Sequence, residues 1–320
     1  MKRIAVLTSG GDSPGMNAAI RSVVRCGIDL GLEVYGVYRG YEGLLEGEID
    51  KLDRSSVGDI LHRGGTMLRT ARSAKFQTAE GVRQAAGILD TFGIEGLCII
   101  GGDGSMRGAR DLMHEGVGVV CLPGTIDNDL AYTDYTIGFD TAVNTVLEAI
   151  SKIRDTSSSH ERTTVIEVMG RRCGDIALYS GAGGGAEAVL IPEIVYDVND
   201  ICRRIISGIN RGKAHSIIIN AEGSGITSKD LVSGIQQRTG REARLVVLSY
   251  LQRGGVPTLQ DRLLATLTGA KAAAALASDD YGKAFGIVSS MITGFDLDDA
   301  LGQTKEFNSE LYDLIGVLSK

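Results

Sequence analysis

Ile4-Ala5-Val6-Leu7 is a short, β-branched apolar run; Thr8-Ser9-Gly10-Gly11-Asp12-Ser13-Pro14-Gly15 follows, and Ala18, Ala19, Val23 and Val24 then fall at helical spacing. The pattern predicts strand, glycine loop, helix. It recurs. Glu33 to Tyr38 predicts a second strand, Leu97 to Ile100 a third closed by Gly101-Gly102-Asp103-Gly104-Ser105, and Val117 to Leu122 a fourth closed by Pro123-Gly124-Thr125. Thr163 to Met169, Ser216 to Asn220 and Leu245 to Leu251 predict three more, ending near Gly170-Arg171, Glu222 and Gln252-Arg253. Helical patterns lie between them, clearest over Ala142 to Arg154 and Asp261 to Ala277.

Apolar strands alternating with helices imply parallel sheets covered on both faces, with ligands beyond the carboxyl ends of the strands, where the glycine loops fall. All four prolines are expected at or just past strand ends. The strands are too many for one compact sheet, so two α/β domains are expected, with a chain that crosses between them more than once.

Composition narrows the function. Glycine numbers 44 of 320 residues, about twice the usual ~7%, and gathers at the ends of apolar runs. Net charge is -7 without a Lys/Arg run, which argues against nucleic-acid and membrane-surface roles; anions must be bound in local pockets. Five scattered cysteines and four histidines lack paired-ligand spacing, as expected for thiols in a reducing cytosol. No apolar stretch reaches 18 residues and no signal-peptide pattern opens the chain, so a soluble cytoplasmic protein is expected.

Three loops are candidates for chemistry. Gly10-Gly11-Asp12 precedes a helix start, where free backbone N–H groups favour phosphate, although a tight turn explains it equally well. It is neither a Walker A loop nor a GxGxxG fingerprint. In Gly101 to Ser105, glycines would let the backbone approach phosphates, and Asp103 beside them would then need a divalent cation between the charges, Mg²⁺ typically taking one or two carboxylates plus phosphate oxygens; a turn with an Asx hydrogen bond is the alternative. In Pro123 to Asp129, Asp127 and Asp129 share one side of an extended backbone, and one of them could take a proton from a hydroxyl. Arg72, Arg162, Arg171, Arg244 and Arg253 fall at predicted loops or strand ends, and guanidinium groups suit phosphate. Arg21 and Arg25 share a helix face as a second anion site or a plain charged surface.

Taken together, Thr8 to Asn17, Gly101 to Ser105, Pro123 to Asp129, Met169-Gly170-Arg171 and Gln252-Arg253-Gly254-Gly255 resemble the bacterial ATP-dependent 6-phosphofructokinase family, as does Arg154-Asp155-Thr156 through His160-Glu161-Arg162. The likeness runs from Met1 to about residue 290. It implies two three-layer α/β domains with mostly parallel sheets and the active site in the cleft between them. The implied division is a larger ATP-binding domain from 1–138 plus 256–305, a smaller sugar-phosphate domain from 139–255, and a C-terminal helical segment from 306–320.

The resemblance also implies roles. ATP, the co-substrate, would lie against Gly11, Arg72, Ser73, Gly102, Asp103, Gly104 and Ser105, with Mg²⁺ at Asp103. Asp127 would remove the proton from the 1-hydroxyl of fructose 6-phosphate, Thr125 and Ile126 would position sugar and transferred phosphate, and Arg72 and Arg171 would stabilise transition-state charge. Met169, Gly170, Arg171, Glu222, Tyr250 and Arg253 would hold the sugar phosphate, with Arg162 and Arg244 reaching in from a neighbouring subunit of a homotetramer. A second, regulatory site would take ADP as activator and phosphoenolpyruvate as inhibitor. Arg21, Arg25, Arg54 and Asp59 occupy its positions, as do Arg154, Gly185, Glu187, Arg211, Lys213 and His215. The products would be fructose 1,6-bisphosphate and ADP, in glycolysis.

Pyrophosphate-using relatives tend to carry Asp where this chain has Gly104 and Lys where it has Gly124; side chains there would fill the space of the α-phosphate, so ATP is the expected donor. Tyr250 departs from the common His and cannot carry charge to a phosphate. Ser73 replaces an aromatic seen in some members, and Leu259-Gln260 is unusual. The rival readings are a pyrophosphate-dependent enzyme, a catalytically dead effector-binding protein on the same fold, and a dinucleotide-binding dehydrogenase. Gly104 and Gly124, the intact Asp103, Asp127 and Asp129, and the missing GxGxxG argue against them in turn.

Overall fold

A computed structural model describes residues 1–319. In chain order the first elements are β1 (Arg3–Thr8), α1 (Met16–Asp29), β2 (Glu33–Val37), α2 (Gly40–Glu46), β3 (Ile49–Leu52), α3 (Ala79–Thr91), β4 (Gly96–Gly101), α4 (Asp103–His114) and β5 (Gly118–Pro123). Then come α5 (Phe139–Ser159), β6 (Thr163–Val168), α6 (Asp175–Gly184), β7 (Ala188–Leu190), α7 (Val198–Asn210), β8 (Ser216–Ala221), α8 (Ser228–Thr239) and β9 (Ala243–Val247). The chain finishes with α9 (Leu259–Ala277), β10 (Lys283–Val288), β11 (Met291–Asp296), α10 (Leu297–Gly302) and α11 (Ser309–Leu318). No helix among the described residues is long and apolar enough to cross a membrane.

The chain divides into two compact units, one of Met1–Ile126, Leu130–Thr141 and Arg253–Lys305, the other of Asp127–Asp129, Ala142–Gln252 and Glu306–Lys320. The first holds a seven-stranded sheet in the order β11-β10-β5-β4-β1-β2-β3. Its five inner strands are parallel, and the edge strands β3 and β11 run antiparallel to their neighbours. Side-chain alternation supplies both faces. Ile4, Val6, Cys98, Ile100, Val120 and Leu122 pack with α1 and α9 residues such as Ile20, Val23, Leu264 and Leu276. Ala5, Leu7, Leu97, Ile99, Val119 and Cys121 pack with α2, α3 and α4 through Leu44, Leu89, Met106 and Leu112.

The second unit holds a four-stranded sheet, β7-β8-β6-β9, parallel throughout. Val165, Leu190, Ile218 and Ala243 pack with Ile201 and Ile205 of α7 and Leu231 and Ile235 of α8. Both units are α/β layers around mostly parallel sheets.

Two details differ from the sequence reading. The run Leu245 to Leu251 is not one strand: β9 stops at Val247 and a 3₁₀ turn spans Ser249–Arg253. Ser249 takes φ 44°, and the buried Gln252 turns its side chain back to Ser249 O at 3.1 Å, so an apolar stretch spent on a turn reads as a longer strand. Pro257 is not near a strand end; it precedes Thr258, the N-cap of α9, where its missing N–H is harmless. The antiparallel edges and the short β7 gave no period of their own.

Candidate active site

The chain leaves β1 for β2 on one side and reaches β4 on the other, so the connection reverses between β1 and β4. In parallel sheets the crevice for a ligand opens beyond the carboxyl ends of strands at such a reversal. Register brings three loops to that edge: Thr8 lies beside Ile100 and Gly101 beside Pro123. The ladder continues past the strands, with Ser9 N donating to Ile100 O and Gly124 N to Gly101 O, both at 3.0 Å. Gly10-Gly11, Gly102 to Ser105, and Gly124-Thr125 are therefore neighbours. The sequence marked each of them; only the strand order makes them one surface.

Each glycine there meets a different surrounding. A Cβ on Gly11 would sit 2.2 Å from Arg253 Nη1, and Arg253 donates to Asp12 O at 3.1 Å. Arg253, grouped with the sugar phosphate from sequence, thus lies on the first glycine loop. A Cβ on Gly101 would meet the Ser105 side chain at 2.6 Å, whereas around Gly104 nothing lies within 4 Å. Gly124 is enclosed: its Cβ would meet Ile100 Cγ2 at 2.9 Å, Met16 Cε at 3.0 Å and Gly101 N at 3.1 Å. Gly104 therefore borders open space, whereas Gly124 is enclosed by its packing.

Helix α4 starts at Asp103 behind Gly102, with no side-chain cap, so its first N–H groups face the loop edge. The Asp103 carboxylate takes two bonds from Arg107, Nε to Oδ2 at 2.8 Å and Nη2 to Oδ1 at 2.9 Å. Among the described residues no group of three or more His, Cys, Asp or Glu could hold a metal. A cation at Asp103 would depend on phosphate oxygens for much of its coordination. Ser105 is anchored from below by the hydroxyl of Tyr41, which donates to its carbonyl at 2.6 Å and stacks on Phe76.

Arg72 is exposed on an irregular segment pinned over the first loop. Thr70 Oγ1 donates to Gly10 O at 2.8 Å, Thr8 Oγ1 to Arg69 O at 2.9 Å, and buried Asn17 bonds Arg63 O, Gly64 O and Met67 N. Ser73 is buried and its hydroxyl accepts from Phe76 N at 3.1 Å. Thr66, whose hydroxyl meets that of Thr8 at 2.8 Å, joins Thr70 and Asn17 in this positioning, and no periodicity singled them out.

In the second unit Asp127 is 2% exposed, and Arg171 Nε lies 3.5 Å from its Oδ2. Both flanking turns are held in the left-handed region, Asn128 at φ 52°, Arg171 at φ 51° and Gly170 at φ 135°. Asn128 Nδ2 donates to buried Asp175 at 2.8 Å, and Arg171 N donates to Glu222 Oε1 at 2.9 Å. Close approach fixes the second turn: a Cβ on Gly223 would fall 1.9 Å from Arg171 O. Met169, Glu222 and Tyr250 line one cavity of about 120 Å³ with Glu167, Val168, Val247 and Ser249. Gln252, fully buried, accepts from Met169 N at 3.1 Å and holds that wall.

Arg162 and Arg244 do not join this group. They stand at the starts of β6 and β9, while Met169 to Arg171 follow the end of β6, and six residues of strand separate the two ends by about 20 Å.

The expected regulatory residues fall in two sets. In the first unit Arg25 donates to Arg54 O, Arg54 pairs with Asp29, and Asp59 faces His62 and Arg63; Arg21 is half-buried on α1. In the second, Arg154 contacts His215 Nε2 at 3.1 Å and donates to Gly185 O, and Lys213 pairs with Glu187 at 3.2 Å. Arg211 caps the end of α7. Burial, with the charges of Arg154 and Lys213, holds the His215 imidazole below its usual value against the opposing pull of Glu187.

The family described as Phosphofructokinase matches residues 3–276. An ATP-dependent 6-phosphofructokinase of Clostridium botulinum is 54% identical over 320 residues, covering all of both chains, and one of Clostridium tetani is 54% identical over 319 residues with the same coverage. Among solved structures, a phosphofructokinase from Saccharomyces cerevisiae superposes with a TM-score of 0.89 at 37% identity, over 94% of this chain and 45% of that one.

Proposed function

This chain belongs to the phosphofructokinase family, phosphotransferases with an alcohol group as acceptor, and on that premise we propose that it transfers the γ-phosphoryl group of ATP to the 1-hydroxyl of fructose 6-phosphate. The products are fructose 1,6-bisphosphate and ADP, made in the cytoplasm as a step of glycolysis. The observation that carries this reading is the buried Asp127 beside Arg171, in the same loop as Thr125.

Asp127 accepts the hydroxyl proton as the bond to phosphorus forms. Arg171, an always-charged guanidinium, stabilises charge on the transferred group, as does Arg72. Thr125 and Ile126 orient the reacting groups. Met169, Gly170, Glu222, Tyr250 and Arg253 hold the sugar phosphate, Tyr250 with a single neutral hydrogen bond.

ATP binds along Gly11, Arg72, Ser73 and Gly102 to Ser105, its phosphates on the N–H groups that open α4. Burial of the Ser73 hydroxyl leaves its contribution to the backbone. Open space at Gly104 supports ATP rather than pyrophosphate. Asp103 fits Mg²⁺ as a carboxylate ligand, once Arg107 turns away from an exposed pair that contributes only about 0.3–0.5 kcal/mol. Bound there, Mg²⁺ would neutralise phosphate charge.

The position of Arg162 and Arg244, at the far ends of their strands, supports a homotetramer in which each subunit lends these residues to its neighbour. Arg21, Arg25, Arg54, Asp59, Arg154, Gly185, Glu187, Arg211, Lys213 and His215 form the effector site for ADP and phosphoenolpyruvate.

The deciding experiment is phosphorylation of fructose 6-phosphate with Mg²⁺, comparing ATP with pyrophosphate, with and without ADP and phosphoenolpyruvate. Turnover with ATP alone is expected, raised by ADP and lowered by phosphoenolpyruvate. Turnover with pyrophosphate alone would overturn the donor assignment, and no turnover with either would overturn the reading.

A further inference from the structure

Asp261 is 1% exposed and takes no part in the chemistry above. Its oxygens accept three hydrogen bonds from the start of α5: Gly138 N on Oδ1 at 2.8 Å, Thr141 N on Oδ2 at 2.8 Å, and the Thr141 hydroxyl on Oδ2. The Thr141 hydroxyl accepts in turn from Thr258 N at 3.0 Å, and Thr258 caps α9 by accepting from Asp261 N at 3.4 Å. The ring closes on itself inside the first unit.

The segment so anchored also holds the loop that follows β5. Ile137 N donates to Pro123 O at 2.8 Å, Ile137 pairs with Gly124 as a parallel bridge, and the Thr136 hydroxyl donates to Thr125 O at 2.7 Å. The other side of the segment is wedged against the first glycine loop. A Cβ on Gly138, which takes φ 107°, would meet Ser13 Cβ at 2.6 Å, and one on Gly15 would meet Ile137 Cγ2 at 2.7 Å. Thr136 and Ile137 are fully buried. A close-packed segment has no slack, so a displacement at Gly138 passes to Thr125 on one side and to Ser13 on the other.

We infer that Asp261 is a positioning residue, which clamps residues 136–141 and through them sets the backbone of Thr125 for phosphoryl transfer. The inference rests on the phosphoryl-transfer reading of that loop. A carboxylate suits the task because both of its oxygens accept; an amide offers one acceptor and turns an N–H toward another N–H. Placement of this kind matters steeply, since a shift of about 1 Å at reacting groups can cost about a hundredfold in rate.

The test uses Asp261→Asn and, separately, Thr136→Val, which removes only the bond to Thr125 O. Each variant is expected to lose kcat by about 10- to 100-fold, with KM for either substrate within about threefold of the unaltered protein. Amide hydrogen exchange over residues 123–127 should speed up by about tenfold or more while exchange in β1 and β4 stays put. The inference is overturned if kcat holds within about twofold in both variants, or falls only in step with the folded fraction. Should Asp261→Asn fail to fold, Thr136→Val carries the test. The unaltered protein serves as control on the chemistry: without its turnover of ATP and fructose 6-phosphate, unchanged exchange at 123–127 still overturns the positioning role, and faster exchange upholds it.

Discussion

Arg253 lies across Gly11: its Nη1 donates to the neighbouring Asp12 carbonyl at 3.1 Å and stands 2.2 Å from where a Cβ on Gly11 would be. The contact joins the first glycine loop to a residue 242 positions further along the sequence. Because the atom in the way ends a flexible side chain, Gly11→Ala should displace the guanidinium and leave the fold intact. Loss of one charge-assisted hydrogen bond, about 1.5–3 kcal/mol, predicts kcat/KM lower by about 10- to 100-fold. Steady-state kinetics and thermal unfolding check it, with Tm expected within about 3 °C. Arg253→Ala added to Gly11→Ala should cost little more, as the two share one interaction.

The two glycines that bear on the phosphoryl donor differ in their surroundings. Gly104→Asp meets nothing within 4 Å, so the variant should fold and bind ATP at least about tenfold more weakly, through charge and volume where phosphate belongs. Gly124→Lys strikes Ile100, Met16 and the Gly101 backbone, and should be destabilised by about 1–3 kcal/mol or more. Thermal unfolding of both, with ATP titration of the first, tells them apart. Equal stability would refute the packing account of Gly124.

Asp127→Asn keeps the size of the buried residue and removes its basicity. A fall in kcat of about 10²- to 10⁴-fold is expected, with modest changes in KM. Stopped-time assays at saturating substrate measure it; near-normal turnover would remove the proton-acceptor role.

Subunit sharing predicts complementation. Arg162→Ala and Asp127→Asn should each be nearly inactive alone. Unfolded together and reassembled, they should recover activity, because a mixed oligomer holds some sites in which neither substitution falls. Mixtures no more active than their components would mean that each chain supplies its own Arg162.

Burial pushes the Asp261 carboxyl up to about 6, against hydrogen bonds from Thr141 and Gly138 that lower it. The folded protein thus holds this proton more tightly than the unfolded chain, whose value is about 3.9. The stability it contributes is full below about pH 4 and lost as pH rises through about 6, an amount on the order of 3 kcal/mol. Asp261→Asn lacks this dependence. Its stability relative to the unaltered protein should therefore improve between about pH 4 and 7, whatever its effect on kcat. Denaturant unfolding of both at each pH reads the difference directly, and a flat difference would be the contrary result.

Sequence alone determined the fold class and marked the candidate loops for chemistry. β-branched runs of four to six residues closed by glycine do so because strands buried on both faces must be apolar throughout and phosphate needs bare backbone; Ile4 to Leu7 and Leu97 to Ile100 display both constraints locally. Asp103, Asp127 and Arg171 were legible for the same reason, as charges in loops next to apolar strands. What only the tertiary structure decided depends on long-range pairing. The order β5-β4-β1 makes neighbours of three separate loops, Arg253 returns to Gly11, and Gly124 proves to be a packing requirement. The clamp of Asp261 on Gly138 and Thr141 spans more than a hundred residues of chain. A carboxylate at the start of a helix reads from sequence as one more solvated first-turn acid. Its burial, and the donors it meets, exist only once α9 has packed beside the start of α5.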